Sequence, residues 1–92
     1  MFVIVAYDVN QKRNRKIHKL CRRYLYAAEE SVFEGVITEA KLDHLKQEIK
    51  DILVAEEDTC IIYKMNSTKY CSKDCFGKVK DQNNIICTMS NR

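Results

Sequence analysis

The stretch Phe2-Val3-Ile4-Val5-Ala6-Tyr7-Asp8 decides the fold. Residues 2–7 are continuously apolar or aromatic, the pattern of a central strand buried on both faces. Asp8 ends the run, and Asn10 with the polar residues after it reads as a turn. From about 12 to 25, Ile17, Leu20, Cys21, Tyr24 and Leu25 recur at the spacing of one helix face. Arg15, Lys16, Lys19, Arg22 and Arg23 then gather on the opposite side, whereas Arg13 projects near the apolar stripe, back toward the end of the first strand.

Further along, Ser31-Val32-Phe33-Glu34-Gly35-Val36-Ile37 is rich in β-branched and aromatic residues and predicts a strand, bent or bulged at Gly35, with room for an extra strand in 27–37. Thr38 is a helix N-cap with Glu39 in the first turn. Leu42, Leu45, Ile49 and Ile52 mark the buried stripe of that second helix. Glu56-Glu57-Asp58 is an acidic turn, and Cys60-Ile61-Ile62-Tyr63-Lys64-Met65 a further strand. The order β-α-β-α-β predicts an α+β ferredoxin-like sandwich, an antiparallel sheet with two helices on one face, plus a short C-terminal strand. That strand, about 84–89, pairs with its own sheet or with a neighbouring subunit's edge.

With 92 residues the chain is one domain, with its core in about 1–65, a loop over 66–83 and then the terminal strand. So small a core leaves modest stability, which a dimer raises. No apolar run approaches a membrane span. The opening residues carry neither a charged leader nor a cleavage site, which predicts a cytoplasmic protein beginning on a structural strand. The five cysteines (Cys21, Cys60, Cys71, Cys75, Cys87) read mainly as small buried hydrophobes in a reducing compartment. Cys71 and Cys75, with Cys60 or Cys87, carry a zinc alternative, weakened by the lack of a second close pair.

Net charge is only +3, but its distribution is two-sided. Residues 12–23 hold seven basic residues and no acid, and residues 38–58 hold seven acids against three lysines. A one-signed stripe on a helix is the electrostatic footprint of phosphate-backbone binding.

Together, Val3-Ile4-Val5-Ala6-Tyr7-Asp8-Val9, the helix entry Arg13-Asn14-Arg15-Lys16 and Ser31-Val32-Phe33-Glu34-Gly35 resemble the CRISPR-associated Cas2 family. So do the leucine-striped second helix and the acidic turn before Thr59-Cys60-Ile61-Ile62-Tyr63. The resemblance spans roughly residues 1–65. It implies a homodimer of ferredoxin-like subunits that acts in spacer acquisition with the Cas1 integrase, and a metal-dependent endonuclease acting on single-stranded RNA or double-stranded DNA. It further implies that Asp8 is both the catalytic and the metal residue, two subunits sharing one Mg²⁺ or Mn²⁺ through their Asp8 carboxylates. Tyr7, Ser31 and Phe33 support that site, and Arg13, Arg15, Lys16, Lys19, Arg22 and Arg23 contact nucleic acid.

Each residue also has a plainer reading. A carboxylate at a strand end is often a turn or capping residue. One carboxylate per chain becomes a cation site only when a two-fold axis doubles it, and two such groups repel unless a cation or Arg13 lies between them. Tyr7 and Phe33 have the alternative of core aromatics, and His18 and His44 of surface or core-edge residues. Before Ser31 stand Ala27-Ala28-Glu29-Glu30, whose two acids would repel a phosphate backbone. Two further functions stay open: a non-catalytic DNA-binding scaffold of the integration complex, and a small regulatory domain, which no Gly-rich loop or ligand motif favours.

Overall fold

In a computed structural model, residues 1–67 and 70–77 are described, the side chains of 66–73 excepted. The elements run β1 (Phe2–Asp8), α1 (Gln11–Arg22), β2 (Tyr26–Glu29), β3 (Val32–Val36), α2 (Glu39–Ile52), β4 (Thr59–Ser67) and β5 (Tyr70–Gly77). The strands form one sheet in the order β2-β3-β1-β4-β5, antiparallel at each pairing. The first six elements are the split βαβ pattern of the ferredoxin-like fold, and β5 extends it beyond β4.

Each helix starts where a side chain satisfies an otherwise orphaned backbone donor. Asn10 accepts from the Lys12 N–H at 2.9 Å and Thr38 from the Lys41 N–H at 3.2 Å. Ile17, Leu20 and Cys21 of α1 and Leu42, Leu45 and Ile49 of α2 are buried, as their spacing predicts. They pack on Val3, Val5, Tyr7, Phe33, Cys60 and Ile62, the residues of the sheet's helix side. α1 ends at Arg22 rather than near 25. Tyr24 and Leu25 instead both donate to the Cys21 carbonyl, turning the chain into β2 while Leu25 still seals the core.

β1 departs from its reading in one respect. Its burial alternates, with Val3, Val5 and Tyr7 buried and Phe2, Ile4 and Ala6 only half-buried. The two helices cover a single face, so the continuous apolar run reflects a second face that the described residues leave half-exposed. That open face also carries Ile61, Tyr63 and Met65 of β4, opposite Ala6, Ile4 and Phe2, and the exposed Val36.

Two further expectations change, and a third is untested. The extra strand within 27–37 exists as β2, and the register slips at Ala27/Glu29, not at Gly35, which pairs regularly with Val3. The loop expected over 66–83 contains β5, whose pattern is masked because Asp74 stands on its helix-facing side. There Asp74 Oδ2 forms ion pairs with Lys46 Nζ of α2 at 2.7 Å and Lys64 Nζ of β4 at 3.0 Å. The terminal strand expected at 84–89 lies outside the described residues. Cys21 and Cys60 are buried thiols, as read, and desolvation pushes the Cys21 thiol up to about 12. No helix among the described residues is long and apolar enough to cross a membrane.

Candidate nucleic-acid and phosphodiester site

Asp8 closes β1 on the open face of the sheet, in register with Thr59 and exposed to solvent. Strand alternation puts it in one row with Phe2, Ile4 and Ala6, so a carboxylate terminates an otherwise apolar stripe. Beside it lies a shallow depression of about 230 Å³, lined by Asp8, Gln11, Asn14, Glu30 and Ser31 among others. The Ser31 carbonyl accepts from the Tyr7 N–H at 3.1 Å, tying that lining residue to β1.

Tyr7 and Phe33 stand behind this depression as core aromatics. Phe33 is fully buried, 6.2 Å from the Tyr7 ring and edge-on to His18 at 5.1 Å. The Tyr7 hydroxyl meets His18 Nδ1 at 3.4 Å and donates to the Glu30 carbonyl at 3.4 Å. Desolvation, followed by nearby thiols and Glu30, pushes the Tyr7 hydroxyl up to about 12. It therefore stays protonated, a hydrogen-bonding prop rather than an acid–base group at neutral pH.

Arg13 is placed differently from its reading as a nucleic-acid contact. Its Nε donates to Asp58 Oδ2 at 2.5 Å, and its Nη2 to Glu57 at 2.6 Å and to Asp58 Oδ1 at 3.1 Å. The bridge between two Asp8 carboxylates once open to Arg13 is thus replaced by a partner within its own chain. Asp58 is fully buried and also accepts from the Asn10 N–H at 2.7 Å and the Val54 N–H at 2.9 Å. The Arg13 guanidinium, then those backbone donors, lower its pKa to about 2 against the opposing effect of burial. From sequence, Asp58 reads only as part of an acidic turn. The available signal was a lone arginine at the apolar edge of α1, which requires a buried counter-charge.

A carboxyl whose folded pKa lies below its ordinary value stabilises the fold above that ordinary value and ceases to do so as it protonates. Stability is accordingly expected to be level from neutral pH to about 4 and to fall as pH drops toward 2. Urea titrations at stepped pH check this. Asp58→Asn should lower stability at neutral pH and flatten its decline through that acid window.

Arg15, Lys16, Lys19 and Arg22 of α1 and Arg23 at its C-cap are exposed, as predicted, and so is Lys12. Among the described residues, none of Arg15, Lys16, Lys19 and Arg22 has a carboxylate partner, so that stripe keeps its positive potential. Arg23 is 3.7 Å from Glu48 of α2, which also accepts from the Tyr24 hydroxyl at 3.0 Å. Arg23 therefore serves partly as a tie between the helices.

Among the described residues no three His, Cys, Asp or Glu side chains cluster as a cation site. A single Asp8 supplies one carboxylate, and Mg²⁺ is commonly held by one or two carboxylates with water and substrate phosphates completing its shell.

The family model for CRISPR associated protein Cas2 matches residues 1–73. A relative from Dictyoglomus turgidum, named CRISPR-associated endoribonuclease Cas2, is 45% identical over 94% of this chain and 99% of its own. One of the same name from Thermotoga maritima is 37% identical over the same shares. A crystal structure titled as cas2 superposes with a TM-score of 0.69 at 36% identity, covering 94% of each chain. The crystal structure of Streptococcus pyogenes Cas2 at pH 6.5 gives a TM-score of 0.66 at 33% identity, over 72% of this chain and 87% of that one.

Proposed function

Because this chain belongs to the CRISPR-associated Cas2 family, we propose that it acts in CRISPR adaptation as a homodimer that hydrolyses RNA phosphodiester bonds at paired Asp8 carboxylates. The observation that carries this reading is the position of Asp8 at the end of the half-buried apolar stripe Phe2, Ile4, Ala6. A two-fold axis that packs two such faces together, with the axis near the strand end, brings Asp8 against its own copy. The names of the relatives supply the substrate class.

The chain's own residues divide the work. The α1 stripe of Arg15, Lys16, Lys19 and Arg22 holds the phosphate backbone without reading bases. The depression bounded by Asn14, Glu30 and Ser31 receives the scissile segment next to Asp8. The paired Asp8 carboxylates would hold Mg²⁺ or Mn²⁺, which when bound supplies charge neutralisation and an acidified water. Partnership with the Cas1 integrase and a cytoplasmic location belong to the same proposal, with duplex DNA as the ligand of the basic stripe.

The test is cleavage of single-stranded RNA by the purified protein in Mg²⁺, in Mn²⁺ and in EDTA, alongside duplex DNA. Cleavage that EDTA abolishes supports the reading, and equal cleavage in all three conditions counts against it. The dimer has its own test. Ile4→Glu places a charge in the middle of the open face and is expected to shift sedimentation from dimer to monomer. An unchanged dimer would mean that another surface joins the subunits.

A second reading, a non-catalytic scaffold of the integration complex, is favoured by Glu30. Glu30 lines the same depression as Asp8, and an acid beside that carboxylate adds repulsion to an incoming phosphate. Duplex binding without cleavage under any metal condition would select it.

A further inference from the structure

We infer that the Arg13–Asp58 pair is a positioning device for Asp8 and not part of the nucleic-acid surface, an inference that rests on the catalytic role proposed for Asp8. Asp58 is a fully buried carboxylate that the proposed chemistry does not use. Its Oδ1 accepts from the Asn10 N–H and Arg13 Nη2, and its Oδ2 from Arg13 Nε and the Val54 N–H. Two of those donor residues, Asn10 and Arg13, belong to the segment that directly follows Asp8. The third, Val54, lies just past α2 and fixes the carboxylate against that helix.

These bonds close a small ring. Asp8 is in register with Thr59 in the sheet, Thr59 follows Asp58 in the chain, and the Asp58 carboxylate holds Asn10, two residues after Asp8. The Asp8–Asn10 turn is therefore pinned at both ends by one stretch of chain. β5 reinforces that stretch from the other side. Gly77 has φ +88, and a Cβ there would strike the Asp58 carbonyl and crowd the Thr59 Cα. Arg13 meanwhile keeps only 17% of its side chain exposed, its guanidinium turned to Asp58 and Glu57 rather than to the outer stripe.

A carboxylate that must meet its copy across a dimer axis tolerates little wandering, and a displacement near 1 Å can cost about 10²-fold in rate. Without the buried charge, the Val9–Asn10 turn loses its anchor while the exposed stripe on α1 is untouched. The consequence is a fall in kcat with little change in affinity for nucleic acid.

The experiment uses the full chain with Asp58→Asn, Arg13→Gln and the double variant, each checked for folding by thermal melting. Each single variant is expected to lower kcat roughly 10- to 100-fold, the double no more than the worse single, because the pair acts as one unit. RNA affinity and its salt dependence should stay within about twofold, whereas Arg15→Gln should reduce both. Folded variants that retain wild-type kcat would overturn the inference. A flatter salt dependence in Arg13→Gln would also overturn it, by making Arg13 a phosphate contact. Should the wild type not cleave at all, the catalytic reading fails, and carboxyl NMR decides the positioning alone. A shifted or broadened Asp8 side-chain resonance in Asp58→Asn, with faster hydrogen exchange at the Asn10 amide, upholds it. An unmoved resonance with unchanged exchange sinks it.

Discussion

Asp8→Ala is expected to lower metal-dependent RNA cleavage by about 10³-fold, with the melting temperature nearly unchanged. The size follows from what the carboxylate does in the proposed dimer. Removing it from both subunits takes away every protein oxygen of the cation site at once, and metal-assisted charge stabilisation is worth several kcal/mol. Each 1.36 kcal/mol is a factor of ten in rate, so about 4 kcal/mol gives the stated loss. The small effect on stability follows from place. Asp8 is exposed at a strand end, outside the cluster of Val3, Val5, Phe33 and Ile62 that holds the sheet to the helices. Cleavage assays on wild type and variant, purified in parallel, check the first part, and thermal melts the second. A variant that cleaves as fast as wild type would assign the activity to a contaminant or to another residue. Dimers mixed from wild-type and variant subunits add a sharper check. If the two carboxylates act together, the mixed dimer should fall well below half the wild-type rate. If each subunit works alone, it should retain half.

The fold was legible wherever one physical signal dominated a segment. Both helices carry their burial in the spacing of apolar residues, β1 and β4 stand out as apolar runs, and Thr38 announces α2 as its N-cap. β2 was harder to see because Tyr26, Ala27, Ala28 and Glu29 are all exposed, which leaves no alternation to read. β5 was hidden for the opposite reason. Asp74, a charged residue on the packed side of a strand, looks like loop until Lys46 and Lys64 are seen to neutralise it. The open sheet face and the continuous hydrophobicity of β1 are one fact. The sequence reads as buried on both sides, and the described residues fully bury only one.

At the candidate site the separation between legible and hidden is set by distance along the chain. The exposure of the α1 stripe follows from helix geometry alone, within one element. The Arg13–Asp58 contact joins residues 45 apart, and no local periodicity encodes it. An arginine near an apolar stripe marks the need for a buried acid, but Glu56, Glu57 and Asp58 are equivalent until the chain is folded. Only then does Asp58 turn inward, next to the strand that pairs with β1, while Glu57 remains at the rim.

Replacing Arg15, Lys19 and Arg22 together by glutamate is expected to weaken duplex DNA binding by about 10²-fold or more at low salt and to flatten its salt dependence by a slope of about 3. The three side chains lie on the exposed face of α1 and, among the described residues, have no carboxylate partners, so their charge is available to phosphates. Neutralising one phosphate releases condensed counterions and contributes about 0.9 to the slope of log affinity against log salt, so three lost contacts account for the flattening. Charge reversal then adds repulsion beyond the lost contacts. The loss should be uniform across sequences, because backbone contacts carry no base information. Titrations at several salt concentrations measure both quantities, and unchanged affinity would remove the basic stripe from the account. Arg23→Glu alone is the informative contrast. Its partner Glu48 lies on α2, and reversing the charge sets two acids against each other between the helices. That variant should lose stability along with affinity, whereas the triple variant should melt like wild type. The difference separates a cation that serves the ligand from one that also holds the helices together.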